Sequence, residues 1–515
     1  MNLIQGVQTL ADLPAILASS QGAKIALIVE DQQISYQDLE AASNRVANAL
    51  IAASVVARDR IAVLARDSLA SVTMLFGVAK AGAALVNINW RLAADEIAYI
   101  LSDAAPRLLF VDEEFTPAIP QIVSRMASPP QTVPLAGWGK DAADFSPGLT
   151  YAADDIVVQM YTSGTTGRPK GVQLSNRSFF AIAREMEAVG DPWIGWSKDT
   201  VSLLFVPTFH IGGLWWLMRG LALGSLTIVL KSFDARAILR AIPQYRVTKT
   251  CMVPSMMSVL LAEPGCNTTD FSSLETIVYG GSPISPSLLQ RAMKIFQCDF
   301  CQIYGMTETG NMAVCLRPQD HHVSDPQKLA AAGKPLPGVA MMILDAEQKA
   351  LGPGKIGEIT LRSPARMAGY WNLPEATQST LVDGWVKTGD AGYQDEEGVI
   401  YVCDRIKDMI IAAGENIYPA EVEHVIRAHP GVADVAVIGV PDELWGETVK
   451  ALIVPREEHT ILAGDIIRHA RAHLAEFKIP KSVDVVHELP RNAAGKILKS
   501  KLRDRYWQGR ERRVN

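Results

Sequence analysis

Hydroxyl-bearing residues and glycines alternate along the segment Tyr161–Gly171 (YTSGTTGRPKG), which follows an apolar run typical of a strand. Glycines let a backbone approach a phosphate closely, while amide and hydroxyl groups donate hydrogen bonds to its oxygens. Lys170 adds a positive charge near the end of the segment. The spacing differs from that of a Walker A loop, because Arg-Pro-Lys follows Gly167. The segment therefore predicts a polyphosphate-binding loop of another type.

Further candidate positions lie later in the chain. Thr307 and Glu308 lie in YGMTETG after a predicted strand, Asp390 ends a KTGD turn, and Lys496 lies in a polar Gly-Lys step. Carboxylate oxygens are ligands that Mg²⁺ prefers, and a positioned ammonium stabilises the charge of a reacting phosphate. Taken singly, each pattern is also typical of a surface turn or an exposed lysine. Their interpretation therefore depends on their occurring together.

Five sequence segments occur together and in a fixed order between residues 161 and 503. The set resembles the adenylate-forming superfamily, which includes acyl-CoA synthetases, adenylation domains and luciferases. An earlier segment, ISYQDLEAASNRVANAL, also looks like the N-terminal region of that family. The five segments are TSGTTGRPKG, YGMTETG, KTGD, DRIKDMIIAAGENIYPAEVE and PRNAAGKILKSKLR.

The resemblance implies how the chain binds Mg²⁺-ATP. Thr307 would contact the α-phosphate, and Glu308 would hold Mg²⁺. Asp390 would accept hydrogen bonds from the ribose hydroxyls, and Arg405 would approach the ribose. The loop residues that would hold the β- and γ-phosphates are Thr162, Ser163, Gly164, Thr165, Thr166, Gly167 and Lys170. The residues that would border the adenine or stack near it are Gly281, Ser282, Pro283, Tyr304 and Gly305.

The resemblance also implies two half-reactions. In the first, Lys496 would stabilise the negative charge as a carboxylate attacks the α-phosphorus of ATP. In the family the C-terminal domain then rotates, and the pivot position matches Lys407. The rotation would bring Ala413, Gly414 and Glu415 toward the pantetheine of CoA. Relatives commonly have glycine where this chain has Ala413, and alanine would be strained if that position needed a positive φ.

The segment Phe209–Leu217 (FHIGGLWWL) resembles the acyl-pocket helix of the family. His210 would lie near the reacting carboxylate, where amino-acid-activating relatives usually carry an aspartate, so an amino-acid substrate is disfavoured. The apolar neighbours favour a fatty acid of medium or longer chain, with an aryl acid such as a cinnamate or benzoate as the alternative. The expected pocket residues are Phe209, Gly213, Trp216, Gly280, Met306 and Met312.

Short β-branched runs alternate with amphipathic helical patterns through most of the chain. In one such unit, Val201–Val206 predicts a strand, Gly212–Leu223 a helix and Leu226–Leu230 a strand. This alternation favours βαβ units, and ligands of such folds bind where strands end. We therefore predict an α/β fold with a large domain (1–404), in which stacked, mostly parallel sheets are flanked by helices. A small α+β domain (405–515) is expected to follow it. This second domain would be mobile and would carry the catalytic lysine. A chain of 515 residues is longer than a single hydrophobic core can organise, so more than one domain is expected.

Composition and charge exclude several classes of protein. The net charge of −6 provides no basic excess for a nucleic-acid partner. Six scattered cysteines and an N-terminus without a signal-peptide pattern favour the cytoplasm. The apolar stretch Gly212–Leu230 contains Arg219 and is interrupted by Gly224, so we expect a buried helix and strand rather than a membrane span. A homodimer is a candidate assembly.

The predicted function is that of an ATP-dependent acid–thiol ligase, with Mg²⁺-ATP, a carboxylic acid and CoA as its small-molecule partners. A stand-alone adenylating enzyme that loads a carrier protein is the first alternative, and it would differ only in the acceptor. No carrier-protein pattern follows Lys496, so the thiol is expected to come from another molecule. A non-catalytic nucleotide-binding protein is the second alternative.

Overall fold

The computed structural model describes residues 6–162, 168–321, 326–412, 415–442, 446–457, 459–491 and 497–508. Internal contacts divide the chain into two compact units, 1–341 with 361–387 and 342–360 with 388–515. The predicted α/β class, with a large N-terminal and a small C-terminal part, is confirmed. The sequence predicted a boundary before Arg405 between the large domain and a mobile C-terminal domain. That boundary describes which residues move together, and it stays a prediction.

Most of the strands are short, as expected for α/β sheets. In chain order they are β1 (Ile25–Val29), β2 (Gln32–Ser35), β3 (Arg60–Leu64), β4 (Ala84–Asn87), β5 (Leu108–Val111), β6 (Gln131–Pro134), β7 (Ile156–Thr162), β8 (Lys170–Ser175), β9 (Val201–Leu204), β10 (Leu226–Val229), β11 (Lys249–Met252), β12 (Thr276–Gly280), β13 (Asp299–Tyr304), β14 (Val314–Leu316), β15 (Lys334–Pro335), β16 (Ala340–Leu344), β17 (Gly357–Arg362), β18 (Gly369–Tyr370), β19 (Leu381–Val382), β20 (Trp385–Gln394), β21 (Ile400–Arg405), β22 (Ile410–Ala412), β23 (Glu415–Ile417), β24 (Val432–Asp442), β25 (Gly446–Pro455) and β26 (Ser482–Val485). Strands β20, β24 and β25 are longer than the others.

Helices alternate with these strands, most regularly in the large unit. In chain order they are α1 (Asp12–Gln21), α2 (Tyr36–Ala52), α3 (Leu69–Lys80), α4 (Ala94–Ala104), α5 (Ile119–Val123), α6 (Asn176–Ala188), α7 (Ile211–Ala222), α8 (Ala235–Tyr245), α9 (Pro254–Ala262), α10 (Pro286–Phe296), α11 (Pro326–Leu329), α12 (Pro374–Thr380), α13 (Pro419–Arg427), α14 (Ala463–Arg471) and α15 (Lys499–Trp507).

A nine-stranded sheet and a seven-stranded sheet organise the large unit. The first has the order β15-β14-β13-β12-β11-β9-β10-β1-β2, and its central strands β1 and β9 to β13 are parallel. The second has the order β18-β8-β7-β4-β3-β5-β6. Strands β3 to β7 are parallel, and the pairs β7–β8 and β8–β18 at one side are antiparallel. The prediction of mostly parallel sheets is therefore confirmed.

Strands of the second sheet are buried on both faces, as β3 illustrates. Ile61 and Val63 join a core cluster that also contains residues of the first sheet, such as Val278. Ala62 and Leu64 point to the other face, where they pack in a separate cluster with Ile97 of α4. A parallel strand covered on both faces reads as a continuous apolar run, which is why RIAVL lacks the alternation of an edge strand.

The C-terminal unit contains a smaller sheet with the order β23-β22-β25-β24, and β26 pairs with β25. Residues of β24 alternate between its two faces. Val435 packs in a cluster with Val422 of α13, whereas Ile438 packs in another cluster with Leu502 of α15. Helices therefore cover both faces of this sheet. A further sheet has the order β16-β17-β20-β19, with β21 paired to β20.

Helix α7 and strand β10 occupy the apolar stretch that the sequence assigned to a buried helix and strand. Strand β9 ends at Leu204, two residues earlier than predicted, because the chain leaves the sheet there and packs its backbone against α7. A Cβ atom on Gly213 would lie 2.3 Å from the carbonyl oxygens of both Val206 and Pro207. Within the part of the chain that the structure describes, no helix is long and apolar enough to cross a bilayer.

Two adjacent glycines of α7 provide a matched pair of substitutions. Gly213→Ala should lower the free energy of unfolding by about 1–3 kcal/mol, because the new methyl group would overlap backbone that cannot move cheaply. Gly212→Ala should be neutral or stabilising by up to about 1 kcal/mol, since its Cβ would meet nothing closer than 3.9 Å and alanine favours a helix. Urea unfolding of both variants measures the difference, and equal effects would contradict the packing described for α7.

Candidate active site

The predicted phosphate loop connects two paired strands. Thr162 at the end of β7 lies opposite Lys170 at the start of β8. The hairpin is anchored below the loop, because the Tyr161 hydroxyl donates to the Asp103 carboxylate at 2.5 Å. A Cβ atom on Gly171 would lie 2.8 Å from the side-chain nitrogen of Gln159, so a larger residue here would have to displace the end of that side chain. The loop positions Ser163, Gly164, Thr165, Thr166 and Gly167 lie outside the described residues.

Tyr370 links the phosphate loop to the Thr307–Glu308 segment. Strand β18 pairs with β8 so that Tyr370 lies opposite Val172. The Lys170 ammonium lies 4.9 Å from the centre of the Tyr370 ring, and the Tyr370 hydroxyl donates to Glu308 Oε1 at 2.8 Å. Burial and the neighbouring Glu308 carboxylate raise the pKa of the Tyr370 phenol, so the phenol remains a donor. Lys170 and Glu308, which belong to two distant motifs, thus lie on the same aromatic side chain.

The turn that carries Thr307 and Glu308 is tightly packed. Both residues are buried, in a short 3₁₀ helix (Thr307–Thr309) that is capped by Gly310. A Cβ atom on Gly305 would lie 1.8 Å from the Asn311 carbonyl oxygen, and one on Gly310 would lie 2.2 Å from the Ala365 carbonyl oxygen. These contacts explain why the motif needs glycine on both sides of Thr307–Thr309.

Hydrogen bonds from the segment before β18 hold the same turn. The Met367 amide donates to the Glu308 carbonyl oxygen at 2.9 Å, and the Ser363 hydroxyl donates to the Thr309 carbonyl oxygen at 3.0 Å. The backbone of the turn is therefore fixed from residues about 55 positions further along the chain. Together with the hydrogen bond from the Tyr370 hydroxyl, this fixed backbone orients the buried Glu308 carboxylate.

The residues expected around adenine follow two neighbouring strand ends. Gly280 ends β12 and lies opposite Ile303 of β13 in parallel register. A Cβ atom on Gly280 would lie 2.4 Å from the Ile303 carbonyl oxygen, and Gly281 has a φ of +80°. Gly281–Pro283 and Tyr304–Gly305 therefore leave the same edge of the nine-stranded sheet. The structure thus brings these sequence-predicted residues together, although their contacts with a nucleotide stay a prediction.

His210 precedes the first turn of α7, and a buried network positions Thr208, two residues before it. The Asp67 carboxylate accepts hydrogen bonds from the Thr208 amide at 3.1 Å and from the Thr208 hydroxyl. Asn87 also donates to the Thr208 hydroxyl, at 3.0 Å. Burial raises the pKa of Asp67 to about 6. Asp67 was not predicted from the sequence, although a carboxylate three residues after the end of strand β3 is a signal that could have suggested it.

The His210 ring is kept neutral by its surroundings. Burial, together with the nearby positive charge of Arg91, lowers its pKa to about 4. Its Nε2 atom is shielded from solvent and has no hydrogen-bond partner among the residues that the structure describes. The Phe209 ring centre lies 4.6 Å from that of His210. A neutral imidazole with a buried, unused ring nitrogen is able to contact a polar group of a ligand.

The other residues expected in the acyl pocket are mostly enclosed by protein. Trp216 and Met312 are each 1% exposed and belong to the main core cluster, and Phe209 is 4% exposed. The Trp216 ring centre lies 4.7 Å from that of Trp196. Gly213 makes the close backbone contact described above, and Met306 is half-buried. Their role as pocket residues stays a prediction.

The predicted site residues of the C-terminal unit that the structure describes lie on its strands or in the turn after β21. Asp390 of β20 lies opposite Arg405 of β21, with Arg405 Nε 2.6 Å from an Asp390 carboxylate oxygen. Lys407 lies two residues later in a 3₁₀ turn, where burial lowers its pKa. Glu415 begins strand β23. Ala413, Gly414 and Lys496 fall outside the ranges that the structure describes.

Comparison with known proteins decides the family. The model of the AMP-binding enzyme family matches residues 17–371, and the model of the C-terminal domain of AMP-binding enzymes matches residues 421–496. The chain belongs to the AMP-binding enzyme family. The resemblance to adenylate-forming enzymes is thereby confirmed, and the two matches contain both the phosphate loop and Lys496.

Relatives of this AMP-binding enzyme align over nearly its whole length. A fatty acid–[acyl-carrier-protein] ligase, ScoC of Streptomyces coeruleorubidus, is 44% identical over 99% of this chain and 98% of its own. An indoleacetate–CoA ligase of Aromatoleum aromaticum is 36% identical over 94% of this chain and 96% of its own. The o-succinylbenzoate–CoA synthetase MenE of Bacillus subtilis, solved with ATP and a magnesium ion, has a TM-score of 0.85 and 33% identity over 95% of this chain and 99% of its own. The protein is an AMP-forming acid–thiol ligase.

Replacing Tyr370 by phenylalanine tests the link between the phosphate loop and Glu308. Tyr370→Phe keeps the ring near Lys170 and removes the hydroxyl that donates to the buried carboxylate. We expect the free energy of unfolding to fall by about 1–3 kcal/mol and the magnesium concentration for half-maximal activity to rise several-fold.

Tyr36→Phe is the matched control for that substitution. Its buried hydroxyl donates to the Ser225 carbonyl oxygen at 2.8 Å, and among the described residues it has no hydrogen bond to Lys170 or to the Thr307–Glu308 turn. Tyr36→Phe should lower stability by a similar amount and leave the magnesium dependence unchanged. An unchanged magnesium dependence in Tyr370→Phe would show that the hydroxyl serves stability alone.

Proposed function

We propose that this ligase activates a fatty acid of medium or longer chain as its acyl-adenylate and transfers the acyl group to CoA. The observation that carries the proposal is the position of Lys170 and Glu308 on the two sides of Tyr370. A fixed cation and a fixed carboxylate around one side chain suit a polyphosphate that carries a divalent metal ion. Membership of the AMP-binding enzyme family supports ATP as that polyphosphate.

The residues present fit Mg²⁺ bound chiefly through its nucleotide. Among the described residues, no three His, Cys, Asp or Glu side chains gather into a metal site. Mg²⁺ commonly keeps water and substrate phosphates as ligands and takes only one or two carboxylates from the protein. Glu308 would supply that carboxylate, and the bound ion would neutralise the charge of the leaving pyrophosphate.

In the first step, a carboxylate oxygen of the acid attacks the α-phosphorus, and the bond from this phosphorus to the bridging oxygen of pyrophosphate breaks. Thr307 would bind the α-phosphate, and Lys170 with the loop Thr162–Gly167 would bind the β- and γ-phosphates. Asp390 and Arg405 would hold the ribose. Lys496 would stabilise the charge that collects at phosphorus.

In the second step, a thiolate attacks the acyl carbon, and the bond to the AMP oxygen breaks. The proton of the thiol is released, and AMP leaves as the second product. We propose that rotation about Lys407 separates the two steps, so that Lys496 withdraws and the segment 413–415 approaches the pantetheine. Attack on an adenylate is easier than attack on a carboxylate, because AMP is a good leaving group.

Two similarities favour a fatty acid as the substrate. The relative ScoC is named as a fatty acid ligase, and the segment around α7 is rich in large apolar side chains. An aryl acid is the second candidate, since the indoleacetate and o-succinylbenzoate ligases act on acids that contain aromatic rings. The neutral His210 next to α7 suits either class and disfavours the ammonium group of an amino acid.

The acceptor has one competing candidate. CoA is the acceptor named for the indoleacetate and o-succinylbenzoate enzymes, whereas ScoC is named for transfer to an acyl carrier protein. Both acceptors present the same pantetheine thiol, so the chemistry of the second step is identical. We place the reaction in the cytoplasm, where the six free cysteines would remain reduced, with a homodimer as the candidate assembly.

Product analysis with two acceptors tests the proposal. Purified protein receives Mg²⁺-ATP, a panel of fatty and aryl acids, and either CoA or a carrier protein with its pantetheine attached. We expect acyl-CoA in the mass spectrum, with a preference for fatty acids. Transfer only to the carrier protein would overturn the CoA assignment, and a preference for aryl acids would overturn the substrate assignment.

Lys496→Ala separates the half-reactions in the same assay. Acyl-AMP formation should fall by about 100- to 1000-fold, because a positioned charge is lost, while thioester formation from supplied acyl-AMP should change little. Lys501→Ala, at an exposed lysine nearby, is the control and should affect neither step. Equal losses in both half-reactions of Lys496→Ala would contradict the role given to Lys496.

A further inference from the structure

Asn311 lies between the turn that carries Thr307 and the first turn of α7. Its amide donates to the Met306 carbonyl oxygen at 3.1 Å, and its own carbonyl oxygen lies against Gly305. Its side chain extends the other way, so that Oδ1 lies 3.9 Å from the position of a Cβ on Gly212. One residue therefore belongs to the proposed nucleotide turn and lies next to the proposed acyl helix.

The Asn311 side chain is buried without using its donors. The residue is 7% exposed, and its Nδ2 atom has no hydrogen-bond partner in the described part of the chain. Its φ of +84° is a conformation that most side chains avoid and that asparagine tolerates. A buried amide without a partner lowers stability, so its presence here points to a partner that arrives from outside the chain.

Other unused polar groups lie beside this amide. Helix geometry leaves the amides of Ile211, Gly212 and Gly213 without partners inside α7, and the positive end of the helix dipole lies at the same place. The buried Nε2 atom of His210, directly before the helix, has no partner among the described residues either. Hydrogen-bond donors and a positive partial charge in one place suit a small anion.

We propose that the Asn311 side-chain amide donates a hydrogen bond to the carboxylate of the bound acid, an assignment that rests on the proposed function. The acid must extend its chain along α7 while its carboxylate reaches the phosphorus bound at Thr307. Asn311 lies where these two requirements meet. Asn311 is thus a substrate-binding residue that recognises the carboxylate and orients it toward the α-phosphorus. It acts before any bond is broken.

Two substitutions remove or reverse the donor without straining the backbone. Asn311→Gly deletes the side chain, and glycine accepts a φ of +84° freely. Asn311→Asp keeps the shape and presents a negative oxygen instead of an N–H group. We expect the KM for the acid to rise about 10- to 100-fold in Asn311→Gly, with the KM for ATP within about twofold of the original, because a hydrogen bond to a charged group is lost. Asn311→Asp should lose more at pH 8 and recover in part at pH 6, since burial beside a carboxylate favours a protonated aspartic acid.

An alcohol with the same chain as the preferred acid separates carboxylate recognition from a change in pocket shape. Its inhibition constant should be the same in Asn311→Gly as in the unaltered enzyme, because the alcohol has no carboxylate to lose. Asn372→Gly is the control, since Asn372 also has a positive φ (51°) and is exposed. It should leave both constants unchanged.

The outcomes are distinct. Weaker binding of acid with unchanged binding of the alcohol supports the assignment, whichever class of acid the enzyme prefers. Equal weakening of acid and alcohol, or a change in the KM for ATP alone, would overturn it. A preference for aryl acids would overturn the fatty-acid part of the proposed function while the acid-to-alcohol comparison still decides the role of Asn311.

Discussion

Burial of the Glu308 carboxylate is the constraint on which the arrangement of the large unit depends. An ionised carboxylate is unfavourable inside a protein unless donors or cations compensate its charge. The Tyr370 hydroxyl is one such donor, and β18 brings it there by pairing with β8, the strand that also begins with Lys170. The segment around Met367 further holds the Glu308 backbone. Segments from three parts of the chain are therefore fixed around one acidic side chain.

The tight packing around Glu308 also explains why its neighbours are glycines and why polar groups lie next to the first turn of α7. Because the turn is pressed between Ala365 and its own return at Asn311, neither Gly305 nor Gly310 has room for a Cβ atom. This compact turn leaves the Asn311 amide next to the first turn of α7, and the Asp67–Thr208 network holds the chain that enters the helix. The residues proposed to bind phosphate and those proposed to bind the acid are thus brought side by side by packing of the backbone.

Much of the fold and part of the site were predictable from the sequence. Strand and helix patterns such as those of β10 and α7 depend on local periodicity, and the motif residues were recognisable as a set. Tyr370 was missed because its contact with Glu308 joins residues 62 positions apart, which no local spacing reveals. Asn311 was missed although it adjoins a motif, since its significance depends on a positive φ and on its position next to α7. Long-range pairing and backbone conformation are the two kinds of information that composition and periodicity lack.

The central claim is that a carboxylate oxygen of the substrate attacks the α-phosphorus of ATP. An acid labelled with ¹⁸O in its carboxyl group tests this directly, because that oxygen remains on phosphorus when the acyl group is transferred to the thiol. We predict that AMP released in the complete reaction carries one ¹⁸O atom and that unlabelled pyrophosphate is the other product. Formation of ADP, or of AMP whose new oxygen comes from water, would contradict the account.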